Sequence, residues 1–89
     1  MPEIHCIISG QVQGIGFREF VRNIAQELGL TGFVANLPDG SVEVLAQGDL
    51  GVLKVFVTHI TKGPQGAHIR GFYDEWGEAK RDFQGFAIH

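Results

Sequence analysis

The apolar period of this chain switches between Ser9 and Phe17, and the switch dictates how the first third must fold. Ile4, Cys6 and Ile8 alternate with His5, Ile7 and Ser9, which predicts a strand with one buried face and a second face only partly apolar, ending at Gly10. From Phe17 the spacing becomes helical. Phe17, Phe20, Val21, Ile24 and Leu28 form one stripe, with Arg22, Gln26 and Glu27 elsewhere, until Gly29 and Gly32 stop the helix. The two elements are joined by Gly10-Gln11-Val12-Gln13-Gly14-Ile15-Gly16-Phe17-Arg18.

That junction reads as an anion cradle. Glycines let successive backbone N–H groups converge on one point, and a helix N-terminus adds unpaired donors and a partial positive charge. Arg18, inside the first helical turn, brings a planar guanidinium fork matched to phosphate oxygens. The spacing fits neither the dinucleotide fingerprint G-x-G-x-x-G nor the nucleotide loop G-x-x-x-x-G-K-[ST], so the expected ligand is a small phosphate-like group. On spacing alone a plain tight connection between strand and helix stays open.

Composition narrows what such a cradle can serve. With 89 residues, 44% of them hydrophobic, the expectation is a single domain over residues 1–89 with one core. A net charge of −3 and only seven Lys and Arg argue against a nucleic-acid partner, because counterion release needs a broadly basic surface. No apolar run approaches the ~20 residues of a membrane span. The single cysteine, Cys6, cannot form an internal disulfide, and Met1-Pro2-Glu3 lacks the features of a signal peptide, so a cytoplasmic location is expected.

Thr31 to Leu37 and Ser41 to Gln47 flank Pro38-Asp39-Gly40, whose Asp-Gly step suits a tight turn, and so predict a hairpin. Asp49 can cap a second helix in which Leu50, Leu53, Phe56, Val57 and Ile60 share a face, ended by Lys62-Gly63-Pro64. Ala67 to Trp76 reads as a fourth strand with a bulge or close approach at Gly71, and Phe83 to Ile88 as a short fifth, with Gly77 to Asp82 a polar turn between them. Two helices with one apolar stripe each must cover one sheet face. The predicted fold is therefore α+β, a ferredoxin-like two-layer sandwich of βαββαβ order plus a short final strand, its sheet antiparallel-rich and both helices on one face.

With these segments in place the chain resembles the acylphosphatase family. The family pattern of a G-x-V-Q-G-V-G-F-R loop, a helix ending in L-G-L, then G-W-V-x-N and D-G-S-V-E-V is nearly reproduced. The matching residues are Gly10 to Arg18, Leu28 to Leu30, Gly32 to Asn36 and Asp39 to Val44. The likeness continues through Gly48-Asp49, Gly63 to Ala67 and Phe83 to Ile88, almost the whole length. It implies hydrolysis of the mixed anhydride of a carboxylic acid and phosphate, with an acyl phosphate as substrate, inorganic phosphate as product, and no metal or cofactor.

The resemblance carries two catalytic side chains onto this sequence, Arg18 and Asn36. Arg18 and the backbone amides of Gln11, Val12, Gln13, Gly14, Ile15, Gly16, Phe17 and Arg18 would hold the phosphoryl oxygens, and the Asn36 carboxamide would orient the attacking water. Three positions depart from the common pattern: Gln11 where a basic residue is frequent, Phe33 where Trp is frequent, and Gln65 where a second proline often stands. A second reading of the same fold is a phosphate-binding accessory module without catalysis. The small core permits a monomer.

Other chemistry-bearing residues read as structural. His5, His59, His68 and His89 lie on separate elements without metal-ligand spacing. Cys6 alternates into the core. Asp74, Glu75, Glu78 and Asp82 are broken up by Trp76, Lys80 and Arg81 into a solvated surface. Phe72, Tyr73 and Trp76 could form a base-stacking platform on such a sheet, but the acidic balance opposes it.

Overall fold

A computed structural model describes all of residues 1–89. Its elements run β1 (Pro2–Gln11), α1 (Phe17–Glu27), β2 (Thr31–Asn36), β3 (Val42–Gln47), α2 (Leu50–Lys62), β4 (His68–Glu78) and β5 (Phe86–Ile88). They form one sheet of order β4-β1-β3-β2-β5, antiparallel throughout except where β5 runs parallel to β2. Two helices and a five-stranded mixed sheet make the ferredoxin-like α+β sandwich that the sequence pattern predicts.

Strand alternation decides where the core lies. Ile4, Cys6 and Ile8 are fully buried, as are Val34, Val42, Val44 and Ala46 from β2 and β3, while His5 and Ile7 face the half-open side. Against the buried face pack Phe17, Val21 and Ala25 of α1 and Leu53, Phe56 and Ile60 of α2. Removing a ring such as Phe56, which meets Phe86 edge-on at 6.3 Å between centroids, would cost about 3–5 kcal/mol. Leu50, predicted for the same stripe, is the first residue of α2 and remains 46% exposed.

Local signals set the helix ends. At the end of α1 the Leu30 amide bonds to the Ala25 carbonyl and the Gly29 amide to that of Gln26, the paired bonds of a Schellman motif in Leu28-Gly29-Leu30. The start of α2 is capped by Asp49, whose carboxylate accepts from the Gly51 and Val52 amides at 3.1 and 3.3 Å. Its last turn carries Lys62, a cation where the helix dipole is negative.

The end of β2 and the starts of β3 and β4 each shift inward by one residue from the sequence reading, and three larger differences stand out. Strand β4 runs on to Glu78, because β1 already starts at Pro2 and offers Gly77 and Glu78 pairing partners. Strand β5 is limited to Phe86–Ile88; Phe83 before it packs its ring, tilted, against Phe33 at 5.8 Å between centroids instead of pairing. The bulge expected at Gly71 sits one residue earlier: pairing passes from Ser9 with Gly71 to Gly10 with Ile69 and leaves Arg70 without a partner on β1.

Strand direction gathers several loops at one end of the molecule. The ends of β1, β2 and β5 and the starts of β3 and β4 lie along one edge of the sheet. There α1 begins and α2 ends, so the loop from Val12 to Gly16, the turn at 37–41 and the Gly63–Ala67 connection share that edge.

Candidate active site

The loop that leaves β1 ends in Gly16, whose φ of 77° is left-handed, as is that of Gly14 at 77°. This backbone allows a sharp reversal into α1 and leaves no side chain to cap the helix. The Gly16 carbonyl accepts the Phe20 amide at 3.0 Å, so α1 starts directly behind it. The amides of Phe17, Arg18 and Glu19 belong to the first turn and have no acceptor within the helix.

In front of this turn lies a hollow of about 160 Å³ lined by Val12, Gly14, Gly16, Phe17, Arg18, Glu19, Asn36 and Ile88. With ~30 Å³ as a water's share of liquid, it has room for a phosphate-sized anion with water beside it. Arg18 reaches it from α1, Asn36 from the last position of β2, and Ile88 walls it from β5. Two side chains far apart in sequence thus meet at one helix N-terminus. One Arg18 nitrogen donates to the main-chain carbonyl of His89 at 3.0 Å, which holds the guanidinium at the rim with other N–H groups free. The exposed Asn36 carboxamide makes no hydrogen bond within the chain.

The other loop residues take different places. Val12, 1% exposed, anchors the root of the loop in the core. Ile15 is exposed, and Gln11 pairs with His68 at the end of β1, on the far flank of the loop from the hollow. The Gln13 side chain turns to the hairpin: its amide nitrogen donates to the carbonyls of Leu37 at 3.0 Å and Ser41 at 2.9 Å. It ties the loop to the turn that follows Asn36.

A model of the family described as acylphosphatase matches residues 4–88. The chain belongs to the acylphosphatase family. An acylphosphatase of Thermus thermophilus is 40% identical over 89 residues, all of this chain and all of its own. The crystal structure of acylphosphatase from Bacillus subtilis superposes with a TM-score of 0.96 at 32% identity, covering 100% of this chain and 99% of that one. The crystal structure of full-length HypF in its phosphate- and nucleotide-bound form matches with a TM-score of 0.84 at 29% identity, over 100% of this chain but 12% of HypF. As a member of the acylphosphatase family, the chain is an enzyme acting on small acyl phosphates.

Cys6 and the histidines stand apart from the hollow. Burial, with a smaller contribution from the charge of Asp74, pushes the Cys6 thiol up to about 12, far from a thiolate at neutral pH. His5 bonds Glu43 at 2.8 Å on the half-open sheet face. No three His, Cys, Asp or Glu side chains come together as a metal-ligand set, and no helix is long and apolar enough to cross a membrane. Sequence reasoning missed four contributors to the site: the Gln13 clamp, Glu19 in the lining, the Ile88 wall and the His89 carbonyl on Arg18. Gln13, Ile88 and His89 act through long-range juxtaposition, whereas Glu19 enters simply as the neighbour of Arg18 in the first turn of α1.

Proposed function

We propose that the hollow binds the phosphoryl group of an acyl phosphate and that Arg18 and Asn36 carry its hydrolysis. The Arg18 guanidinium and the free amides from Gly14 to Glu19 surround the three non-bridging oxygens. The Asn36 carboxamide, unengaged within the chain, orients a water in line with the acyl oxygen. The water oxygen bonds to phosphorus as the phosphorus–oxygen bond to the acyl group breaks. The electron pair leaves with the carboxylate, and the water's proton passes to the phosphate product or to solvent.

The chemistry asks little more of the protein. A carboxylate whose conjugate acid has a pKa of about 4 departs without a general acid. A loose phosphoryl-transfer transition state is stabilised by positioned charge and hydrogen-bond donors rather than by a covalent partner. The observation that carries this reading is the convergence of Arg18, Asn36 and an uncapped helix start on one hollow. The same reading takes residues 1–89 as one domain acting as a cytoplasmic monomer on small acyl phosphates, with no nucleic-acid partner.

Phosphate release from benzoyl phosphate in the presence of a metal chelator tests it, with Arg18→Ala and Asn36→Ala proteins confirmed as folded. Rapid wild-type turnover and a loss of orders of magnitude in both variants is the expected result. A folded but inactive wild type would move the assignment to a phosphate-binding accessory module.

A further inference from the structure

The loop that forms the candidate active site has a second flank. There Gln11 of β1, Thr61 and Lys62 at the end of α2, and His68, Ile69 and Arg70 of β4 line an open hollow along the same edge of the sheet. No carboxylate lines it. The chain's ion pairs are Met1 with Glu78 and His5 with Glu43, so Lys62 and Arg70 have no acidic partner although the net charge is −3. Lys62 alone is accounted for by its place in the last turn of α2.

Arg70 needs another explanation. It is the extra residue of the β4 bulge, and a bulge re-aims the side chain it carries. The bulge is fixed from the other side, since Gly10, with φ of 127°, lies so close to β4 that a Cβ there would overlap the His68 carbonyl oxygen. The backbone thus holds a guanidinium beside an ammonium and an imidazole at one flank of the phosphate loop.

We infer that this hollow is an anion subsite for a negatively charged group carried on the acyl half of the substrate, an inference that rests on the phosphoryl reading of the Arg18 and Asn36 hollow. Sheet order sets the span. The subsite sits at β4 and β1, while Asn36 is on β2, two strands beyond β1. At about 4.8 Å between strands, the two positions are separated by roughly 10–15 Å. A short acyl group such as acetyl leaves the subsite empty. The substrates that fill both are acyl phosphates whose acyl chain carries a carboxylate or phosphate at that distance.

Three substrates decide it: benzoyl phosphate, the acyl phosphate of a monocarboxylic acid of about ten carbons, and the mono-acyl phosphate of the matching α,ω-dicarboxylic acid, a chain long enough to cross the gap. The expected result is a KM roughly three- to tenfold lower for the dicarboxylic substrate than for its monocarboxylic counterpart, as suits two exposed charge contacts, with the preference shrinking at high salt. In a Lys62→Gln/Arg70→Gln double variant the preference disappears while benzoyl phosphate turnover is unchanged. Equal KM values in the wild type, or a preference that survives the double variant, overturn the inference. So does an equal effect of the free dicarboxylate added with benzoyl phosphate, which would make the hollow a site for a free anion. Failure of benzoyl phosphate itself to turn over would instead strike at the phosphoryl reading.

Discussion

The two helices of this fold start in opposite ways. Before α2 stands Asp49, whose carboxylate accepts two first-turn amides at 3.1 and 3.3 Å. Before α1 stands Gly16, left-handed and unable to supply any side-chain cap. Glycine in place of a capping side chain costs only roughly a few tenths of a kcal/mol of helix stability. At α1 the unfilled donors face the hollow shared by Arg18 and Asn36, where a bound anion can take the place of the missing side chain. On the proposed reading one helix start serves folding and the other serves binding, and the residue at the N-cap separates them.

If that division holds, the largest effects lie at α1. Arg18→Ala and Asn36→Ala should each lower kcat/KM on benzoyl phosphate on the order of 100- to 1,000-fold, with circular dichroism unchanged. Gly16→Asp attacks the comparison directly by placing an acid before α1, as before α2. No atom lies within 4 Å of the new Cβ, so the substitution fits, at a left-handed backbone cost of roughly 1–2 kcal/mol. Its carboxylate should compete with phosphate and raise the inhibition constant of inorganic phosphate by about tenfold or more. Gln13→Met keeps the side-chain length and removes both donations to Leu37 and Ser41. With loop and hairpin no longer tied, kcat should fall on the order of tenfold, with less change in KM.

The division is legible in the sequence because both signals are local. Asp49 ahead of an apolar stripe marks a cap, and glycines between a period-two and a helical segment mark an open helix start. Topology is also within reach, since two one-striped helices leave a sheet one covered face. Asn36 is different: a residue beside a turn has no distinguishing local pattern, and only the family likeness raises it. Gln13, Ile88 and the His89 carbonyl escape a sequence reading because each reaches the hollow or its supports through strand pairing and loop closure. The Arg70 bulge is displaced by one residue for a similar reason: Gly71 announces an irregularity, but its register is set by Gly10 on the neighbouring strand.

At α2 the expected effects are on stability alone. Asp49→Ala should cost about 1 kcal/mol and lower Tm by roughly 4–8 °C, while KM for benzoyl phosphate at a temperature well below Tm stays at its wild-type value. A matching change in KM would mean that the two helix starts are coupled and the division is wrong.

The smallest effect belongs to a second carboxylate that also satisfies a backbone donor. In the turn after Asn36, Asp39 accepts both the Ser41 hydroxyl and, at 2.9 Å, the Ser41 amide, and these bonds hold its carboxyl below the ordinary value of 3.8. A depressed folded-state pKa means that the stabilisation is present above the unfolded value and is lost as pH falls through the folded one. Asp39→Asn should therefore be slightly less stable than wild type at neutral pH, and the gap should close as both are acidified below the ordinary aspartate range. Urea midpoints measured across that range check the sign. A gap that widened in acid would show that the turn gains nothing from the charge, leaving Asp49 as the case in which a carboxylate of this chain stabilises the fold by satisfying backbone donors.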